Sequence, residues 1–512
     1  MWHWVKRDLP AHAHEENVLT ARGPAANCRN ALEMFQAFVD EDLLDLMHLE
    51  TNRQRIALNR HHVSPVSKSD LRIFLGIGFY MRIVDLPFRR MYWSAVTRQN
   101  IVSENMSCNR FEQILAIIHL NDNELMRDRG DAGYDRLHKI RPLLEKLNVQ
   151  FEACAEKEMK VSVDEQIVPF KGRHSLKVYM MKKPNKWGYK VWAMAGSSGY
   201  VHKFMFAGDN LGPPQEAVAE GLNVGKSGQV VLQLCNDQPQ GSYVYFDNYF
   251  ASPDLLLELK RRGIHATCTV QAKRTKKCPL MCLKDLKRRG RGSYDYRSDT
   301  NLELIICEWF DNKIVTVGSN VHGVEPPVQV RRYDRANKRH INIPCPALIR
   351  EYNANMGGVD KCDMLLALYR NTMKGTKWYK RIFFHLMDLC VVNAWLLYKA
   401  SRPECKLQLI HFKLDVAKGL ILTQRPAELT NEPVPQVPQR HQSQSARNVC
   451  VNSRADRVDH FPKKMDVKHG QRCKMVGCTR KSMFMCRKCH VYLCITGKHG
   501  DEDCFYLFHY AQ

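Results

Sequence analysis

The sequence predicts an α/β protein in which a helical domain precedes the sheet and a small cysteine-rich domain follows it. Three observations support this fold class. Apolar residues recur at three- and four-residue intervals from about residue 31 to residue 151, which is typical of amphipathic helices. Short β-type runs alternate with helical stretches after Met159, which favours a layered sheet. Six cysteines lie close together between Cys473 and Cys504, which indicates a compact metal-bound unit.

The composition favours a globular protein with a polyanionic partner. The chain has 512 residues, 44% of them hydrophobic, so a packed core in more than one domain is expected. Lys and Arg outnumber Asp and Glu by 77 to 53, which gives a formal net charge of +24. An excess of this size makes DNA or RNA the first candidate partner, with a basic but inert surface as the alternative.

Neither a secretory signal nor a membrane partner is expected. The N-terminus has no apolar core of secretory-signal length. The most apolar long stretch, residues 378–398, carries Lys380, Arg381 and Asp388, which a membrane span would exclude. We therefore expect an intracellular protein whose scattered cysteines are reduced thiols.

The first half of the chain divides into three predicted segments. Residues 1–30 are expected to be poorly ordered, and residues 31–155 to form a helical domain. Ser67 and Asp70 predict the start of one helix before an apolar run. An α/β segment begins at about residue 156, with strands at 161–163, 190–194, 200–206, 243–246 and 264–270 and a helix at about 252–262.

The second half begins with an interruption, residues 273–345, which is interpreted as an insertion. A basic stretch opens it, and a strand pair follows at 302–309 and 313–317, with a turn at Asp311 and Asn312. Helices resume at about residue 346, in a segment that extends to residue 424. Residues 425–470 contain much Pro, Gln and Ser and predict a flexible linker. Residues 471–512 form the cysteine-rich unit.

Three aspartates stand in distinctive contexts. Asp164 and Asp247 each follow a β-type run, and Asp360 follows a Gly-Gly turn that opens a helix, with Asp363 on the same helical face. Divalent cations such as Mg2+ or Mn2+ take carboxylate ligands, and a pair of them can activate an attacking oxygen at a phosphodiester. Any one of these aspartates alone is more often a cap or a turn residue. The three contexts together, on a basic chain, favour a metal-dependent site.

The cysteine-rich unit contains candidate zinc ligands arranged in pairs. A segment this short cannot build a sufficient hydrophobic core, so we expect two tetrahedral Zn2+ ions to supply its folding free energy. His490 competes with His499 for one position, and the pair spacing favours His499. A redox cluster or incidental cysteines are the alternative. The candidate ligands are Cys473, Cys478, Cys486, Cys489, Cys494, His499, Cys504 and His509.

Two basic stretches in the predicted insertion are candidates for contact with DNA. Each phosphate that such a side chain neutralises releases counterions. The same runs could serve as nuclear-import signals, and we expect a nuclear protein. A solvated face without a partner is the alternative. The candidate DNA-binding residues are Lys273, Arg274, Lys276, Lys277, Arg288 and Arg289.

Several segments together resemble the piggyBac-type transposases and the proteins derived from them. The likeness covers about residues 31–400, with the cysteine-rich tail added. The segments are Ser162-Val-Asp164-Glu-Gln-Ile-Val-Pro-Phe-Lys-Gly-Arg173, Pro184-Asn-Lys-Trp-Gly-Tyr-Lys190, Phe246-Asp-Asn-Tyr-Phe-Ala-Ser252, Trp309-Phe-Asp-Asn-Lys313 and Tyr352-Asn-Ala-Asn-Met-Gly-Gly-Val-Asp360.

The resemblance implies an RNase H-like catalytic core made of residues 156–272 and 346–424, with residues 273–345 as an insertion domain. It implies that residues 31–155 serve in dimerisation and DNA binding. By motif match, the catalytic triad falls on Asp164, Asp247 and Asp360, with Asp363 as an accessory carboxylate and Mg2+ or Mn2+ as the cofactor. The implied activity is cutting and joining of double-stranded DNA at transposon ends by a homodimer.

For the tail, the resemblance implies a zinc cross-brace that reads transposon-end DNA. The first and third ligand pairs would share one zinc, and the second and fourth pairs the other. An acidic run, Asp501-Glu-Asp503, fits DNA less well, so binding of a chromatin protein is the alternative for this unit.

Two departures from the family pattern leave two functions open. Where the family reads Gly-Thr-Val-Arg, this chain reads Cys268-Thr-Val-Gln271, and the extended acidic N-terminal region of the family is not found. The intact aspartates favour an active transposase. The departures favour a domesticated, non-catalytic DNA- or chromatin-binding protein.

Overall fold

The chain divides into two compact units, Met1–Gln424 and Arg425–Gln512. The computed structural model describes residues 2–10, 18–181, 183, 185–209, 218–299, 301, 303–335, 337–371, 373, 377–423, 460–467, 469–495 and 503–509.

The predicted helical region is helical, and side-chain caps fix where several of its helices begin. Asn30, Asp40, Ser67 and Ser107 each accept a hydrogen bond from the backbone N–H three residues later. At Ser67 the carboxylate of Asp70 completes a capping box, which confirms the predicted helix start. The helices are α1 (Ala31–Gln36), α2 (Glu41–Ala57), α3 (Lys68–Ile83), α4 (Asn100–Ser103), α5 (Cys108–Ile117) and α6 (Arg141–Cys154).

A ten-stranded mixed sheet forms the centre of the described part of the first unit. Its strands are β1 (Trp4–Val5), β2 (Lys160–Pro169), β3 (Lys177–Tyr179), β4 (Trp187–Gly196), β5 (Val201–Phe206), β6 (Tyr243–Phe246), β7 (His265–Thr269), β8 (Tyr294–Asp299), β9 (Leu304–Phe310) and β10 (Ile314–Ser319). The strand order is β1-β8-β9-β10-β7-β6-β2-β4-β3, and β5 also pairs with β4. The β2–β6 and β6–β7 pairs are parallel, and the other pairs are antiparallel.

Helices cover both faces of the sheet, so its central strands are apolar on both sides. On β4, Trp192 and Met194 join one core, with helices α7 and α8, whereas Val191, Ala193 and Ala195 join the other, with the helical region. This alternation follows from the two-residue period of a strand. The remaining helices of the first unit are α7 (Gly225–Leu234), α8 (Pro253–Arg261), α9 (Leu283–Arg288), α10 (Ala347–Asn355), α11 (Gly358–Leu368), α12 (Trp378–Ala400) and α13 (Leu409–Leu422).

Helix α12 is the long central helix of the first unit. By length and composition it would suffice for a membrane span, but 83% of its most apolar window is buried within the fold, as is typical of a core helix. Lys413 on α13 donates to Asp388 on α12 at 2.7 Å, and both side chains are 3% exposed. Removing either charge would leave the other buried and unpaired, so this ion pair fixes how α13 packs on α12.

The N-terminal segment corrects the prediction that residues 1–30 are poorly ordered. Strand β1 pairs with β8 at the edge of the sheet, and Asp8 accepts hydrogen bonds from the backbone of Val324 and Glu325 at 2.7 and 2.9 Å. Arg22 donates from its backbone to Cys154 at 2.9 Å. These partners lie more than a hundred residues away in sequence, so local composition gave no sign of them. Residues 11–17 of the same prediction lie outside the described residues.

The region predicted as an insertion contributes both to the sheet and to a separate hairpin. Strands β9 and β10 form the expected antiparallel pair, with Phe310 opposite Ile314, which confirms the predicted turn. Because β10 pairs with β7, this part of the region continues the central sheet. Strands β11 (Val328–Asp334) and β12 (Arg339–Cys345) form a hairpin of their own.

The second unit is small and contains short strands and one short helix among its described residues. They are β13 (Pro462–Lys464), β14 (Gln471–Arg472), β15 (Lys481–Ser482), β16 (Phe484–Cys486) and α14 (Cys504–His509). Strand β13 pairs with β16, which corrects the prediction that the linker extends to residue 470. The pairing brings His460 against the cysteines, an interaction that the linker-like composition concealed. Residues 425–459 and residue 468 of the predicted linker lie outside the described residues.

Candidate active site and cysteine-rich clusters

Asp164 and Asp247 lie side by side on one face of the sheet. Strand β2 runs parallel to β6 with Val163 opposite Phe246. Asp164 is the next residue along β2, and Asp247 immediately follows the last residue of β6. Val163 and Phe246 belong to the core beneath α7 and α8, so the two aspartates point to the opposite face. Neighbouring strands are about 4.8 Å apart, which makes these two carboxylates neighbours.

Helix α11 covers that same face and carries Asp360 in its first turn. A Cβ atom on Gly358 would lie 2.4 Å from the carbonyl oxygen of Gly196 and 2.8 Å from Oγ of Ser162. The glycine therefore allows the start of the helix to rest directly on β2 and β4. Ser162 is two residues before Asp164 on the same face, so this close approach brings α11 to the aspartate pair.

The electrostatics of the site show carboxylates that are buried close to one another. Burial, with smaller contributions from the charges of Asp247 and Asp360, raises the pKa of Asp164 to about 6. Burial also raises the pKa of Asp363 to about 7, against the opposing effect of Arg370 and Lys183, and Asp360 and Asp164 contribute to the rise. Burial raises the pKa of Asp247 as well. The four predicted carboxylates thus lie close enough together for their charges to affect the pKa values of Asp164 and Asp363.

These carboxylates fit a hard divalent cation. Oδ1 of Asp363 is buried without a hydrogen-bond partner among the described residues, and oxygen is the ligand that Mg2+ and Mn2+ prefer. Oxygens from three or more acidic residues do not lie within 4.8 Å of one another anywhere in the described part of the chain. A cation shared by the whole set would therefore have to draw the carboxylates closer together.

Cationic and aromatic side chains beside the carboxylates were not assigned from the sequence. Lys190 forms an ion pair with Glu165 and lies over the ring of Tyr249, 4.2 Å from its centroid. Lys183 donates to the backbone oxygen of Glu165 at 3.3 Å. The antiparallel register of β2 and β4 places Lys190 beside Glu165. Local sequence gave no sign of the pairing, although Lys190 ends one of the segments that carried the family resemblance.

The predicted DNA-binding residues separate into two groups. Arg274 donates to the backbone oxygens of Asn248 and Ala251, each at 3.1 Å, so it holds the loop after Asp247. Lys276 pairs with Asp254 at 2.9 Å. Arg288 pairs with Asp285, its neighbour one turn earlier. By contrast, Lys273, Lys277 and Arg289 are exposed and have no ion pair among the described residues.

The position that departs from the family pattern lies next to the second aspartate. Gln271 approaches the side-chain and backbone oxygens of Asn248 at 3.5 Å, the upper limit of a hydrogen bond. Cys268 is fully buried in the core. An arginine at position 271 would carry a positive charge that glutamine lacks.

The second unit gathers its cysteines and histidines into two clusters. One consists of Cys473, Cys478, Cys494 and Cys504, and the other of His460, Cys486, Cys489 and His509. Within each cluster the candidate ligand atoms lie within 4.8 Å of one another. In the second cluster, Nδ1 of His460 lies 3.4 Å from Sγ of Cys486 and 3.5 Å from Sγ of Cys489.

This grouping corrects the expected cross-brace in one respect. Cys504 lies with Cys473, Cys478 and Cys494, where the family resemblance placed His499, and His460 takes the place expected for Cys504. His499 lies outside the described residues. The sequence prediction missed His460 because it precedes Cys486 by 26 residues, in a segment with the composition of a linker.

Both clusters fit tetrahedral zinc by ligand type and number. Burial and the neighbouring thiols raise the pKa of Cys494 to about 12 and that of Cys504 to about 11. A bound cation would reverse this effect, because zinc takes cysteine as the thiolate. Without a cation, contacts among four neighbouring thiol groups contribute little to the stability of this unit.

Comparison with known proteins gives consistent results. The family model described as Transposase IS4 matches residues 30–395. Human PiggyBac transposable element-derived protein 3 is 32% identical over 473 residues, which cover 91% of this chain and 75% of that protein. Human PiggyBac transposable element-derived protein 2 is 29% identical over 469 residues, 90% of this chain and 75% of that protein.

The solved structures include a similar fold. It is the cryo-EM structure of the piggyBac transposase synaptic complex with hairpin DNA, with a TM-score of 0.67 and 16% sequence identity. The match covers 93% of this chain and 99% of that chain. At this identity the likeness concerns the fold alone.

Proposed function

Since the chain belongs to the Transposase IS4 family, and within it to the piggyBac type, we propose that it binds DNA and cleaves and joins phosphodiesters at transposon ends. The observation that carries this proposal is the meeting of Asp164, Asp247 and the start of α11 on one face of the sheet. Carboxylates from three distant segments, buried together, form the ligand set that metal-dependent phosphodiester chemistry requires.

We assign the central sheet to an RNase H-like core. Three parallel strands, β2, β6 and β7, flanked by the antiparallel strands β4 and β5, support this assignment. In this topology Asp164 lies on β2, Asp247 immediately follows the neighbouring strand β6, and Asp360 lies on α11, which packs on β2 and β4.

In the proposed reaction, the chain's own residues bind the divalent cation and orient the phosphate backbone of the DNA. Asp164, Asp247 and Asp360 would hold Mg2+ or Mn2+, with Asp363 as the accessory carboxylate. A divalent cation there would supply charge neutralisation at the phosphate and a more nucleophilic oxygen. Burial excludes water around Asp164, which strengthens its electrostatic interactions. Lys190, held by Glu165 and the ring of Tyr249, would orient the approaching phosphate backbone.

A plasmid excision assay tests the proposal. The substrate is a plasmid carrying the terminal sequences of a related element from the same genome. We expect the wild-type chain to excise the insert and Asp247→Asn to lose excision at least about a hundredfold, as removal of a direct metal ligand should. Asp415→Asn is the matched control, since Asp415 is an exposed aspartate on α13 and should leave excision unchanged.

A second function, DNA or chromatin binding without catalysis, is favoured by one observation. Gln271, beside the loop that follows Asp247, stands where the family pattern has a basic residue. If the wild-type chain excises nothing but shifts the same DNA in a binding assay, this second function replaces the first. If Gln271→Arg then joins pre-cut transposon ends that the wild-type chain does not join, the departure at this position accounts for the loss of joining.

The remaining features of the proposal follow from its DNA substrate. The exposed Lys273, Lys277 and Arg289 would contact phosphates, and two Zn2+ ions would hold the second unit, which would read DNA or bind a chromatin protein. A homodimer acting on paired ends and a nuclear location complete the proposal.

A further inference from the structure

A cationic cavity lies in the helical region of the first unit. Its volume is about 630 Å3, and it opens between α5 and the start of α12. Its cationic lining residues are Arg60, Arg89, Lys377, Lys380 and Arg381, and its acidic residue is Glu112.

Part of this charge is already engaged within the protein. Glu112 accepts hydrogen bonds from the guanidinium of Arg90 at 2.8 and 3.1 Å, and Arg89 lies 3.5 Å away. Arg381 donates to the backbone oxygens of Pro169 and Asn371, each at 2.9 Å. Among the cavity's cations, Arg89 is therefore paired with a carboxylate that Arg90 also contacts, and Arg381 is engaged by backbone oxygens.

The other cations of the cavity have no such balance. Arg60 and Lys377 are half-buried and have no carboxylate within 4.0 Å among the described residues. Lys380 is 5% exposed and donates to the backbone oxygens of Leu115 and Ala116, at the end of α5. The cavity therefore holds two cations, Arg60 and Lys377, without a carboxylate beside them, and a third basic group, Lys380, that is held by backbone oxygens.

These cations lie close enough to repel one another. Burial, with smaller contributions from the charges of Lys377 and Arg60, lowers the pKa of Lys380 to about 7. Burial and the charge of Arg60 lower the pKa of Lys377. Burial and the charge of Lys377 also lower the pKa of Lys139 on the neighbouring segment. An anion in the cavity would convert this repulsion into attraction.

We propose that this cavity is a binding site for phosphate esters, in which Arg60, Lys377 and Lys380 neutralise the phosphate oxygens. Guanidinium and ammonium groups together match phosphate geometry, and a concave wall of low dielectric strengthens their field. Two sources share this chemistry, the backbone of duplex DNA and a free polyphosphate. If the occupant is the DNA backbone, the site rests on the proposed function and specifies where the DNA is held. If the occupant is a free polyphosphate, the site goes beyond that function. In either case the site contains none of the carboxylates, so a chain that cleaves nothing would still bind phosphate there.

The test measures binding of tripolyphosphate to the full chain at constant ionic strength. We expect tripolyphosphate to raise the thermal midpoint of the wild-type chain. In the double variant Arg60→Gln, Lys377→Gln the dissociation constant should rise at least about tenfold, because two charge-assisted hydrogen bonds to the phosphate oxygens are removed. Lys418→Gln is the matched control, an exposed lysine of α13 outside the cavity, and it should bind as the wild-type chain does.

The ligand-free variants provide a second readout. Because Arg60 and Lys377 repel Lys380, the double variant should melt at the same temperature as the wild-type chain or higher. If the double variant does not fold, the single variant Lys377→Gln is measured instead, and its dissociation constant for tripolyphosphate should also rise. Equal tripolyphosphate binding by the wild-type chain and the variant would overturn the proposal.

A second arm distinguishes the two sources. Binding to a random-sequence duplex is measured over a range of salt concentrations, and the slope of log K against log salt should become shallower by about 0.9 for each phosphate that the variant no longer neutralises. A shallower slope in the double variant identifies the DNA backbone as the occupant. An unchanged slope with weakened tripolyphosphate binding identifies a free polyphosphate. Because neither arm requires cleavage, a chain without excision activity can still support the site.

Discussion

Burial and hydrogen bonding have opposite effects on the pKa of Glu258. Its side chain is fully buried on α8 and accepts hydrogen bonds from Arg261 at 2.7 Å and Arg262 at 2.8 Å. Burial raises the pKa of the carboxyl, but the two guanidiniums outweigh it and hold the pKa at about 2, below its ordinary value of 4.5. Stability from this group is therefore fully present above pH 4.5 and is lost as the pH falls towards about 2.

We predict that Glu258→Gln reduces the loss of stability that occurs as the pH falls. Glutamine keeps the shape but cannot titrate, so the urea midpoint of the variant should change less between pH 5 and pH 3 than that of the wild-type chain. Glu404→Gln, at an exposed position, is the control and should keep the wild-type dependence. Identical pH profiles for Glu258→Gln and the wild-type chain would show that the ion pairs do not set the pKa of Glu258.

Single residues also show what local sequence could reveal about the site. Asp164 and Asp247 were found because each follows a β-type run, and the parallel register of β2 and β6 then sets them side by side. Lys190 was missed, because its partner Glu165 is brought to it only by the antiparallel pairing of β2 with β4. A residue whose role depends on its own neighbours can be predicted, and one whose role depends on strand register cannot.

At the scale of elements, the position of α11 depends on one glycine. A Cβ on Gly358 would lie 2.4 Å from a backbone oxygen of β4, whereas a Cβ on Gly357 would meet nothing within 4 Å. We predict that Gly358→Ala displaces the start of α11 and reduces excision strongly, and destabilises the chain by about 1–3 kcal/mol. Gly357→Ala is the neighbouring control and should retain excision. Normal excision by Gly358→Ala would mean that α11 need not rest on the sheet.

The second unit offers a prediction about metal content. Because His460 lies with Cys486, Cys489 and His509 in one cluster, the purified full chain should contain two zinc ions, measured by mass spectrometry. His460→Ala should reduce the content towards one, since a site with three protein ligands holds structural zinc less tightly. The control is His490→Ala, since His490 belongs to neither cluster, and it should retain both ions. Two tightly held ions in His460→Ala would exclude His460 as a ligand.

Some strands and helices were predicted from the sequence and others were not. Strand β6 was predicted residue for residue, and the start of α3 was predicted from Ser67 and Asp70, because both signals are local. Strand β1 and the β13–β16 pair were missed. Each is short and is stabilised by partners far along the chain, so neither has a periodic pattern of its own.

At the scale of the whole molecule, the sequence predicted where the helical region gives way to the sheet. It did not predict how many strands the sheet contains. The change from helical to alternating patterns after Met159 coincides with the start of β2 at Lys160. The segment 273–345 was interpreted as an insertion into the core, and β8, β9 and β10 continue the central sheet through the β7–β10 pair. A composition change marks where a segment begins, but only hydrogen bonding decides which sheet its strands join.

The central claim is that distant carboxylates form one cation site on one face of this sheet. Titration with Mn2+, followed by electron paramagnetic resonance, tests it most directly, on the wild-type chain and on Asp164→Asn, Asp247→Asn and Asp360→Asn, with Asp415→Asn as the control. We predict that each of the three variants weakens the same Mn2+ binding step more than about tenfold, while the control binds as the wild-type chain does. Unchanged Mn2+ binding in any one of the three would contradict a shared site.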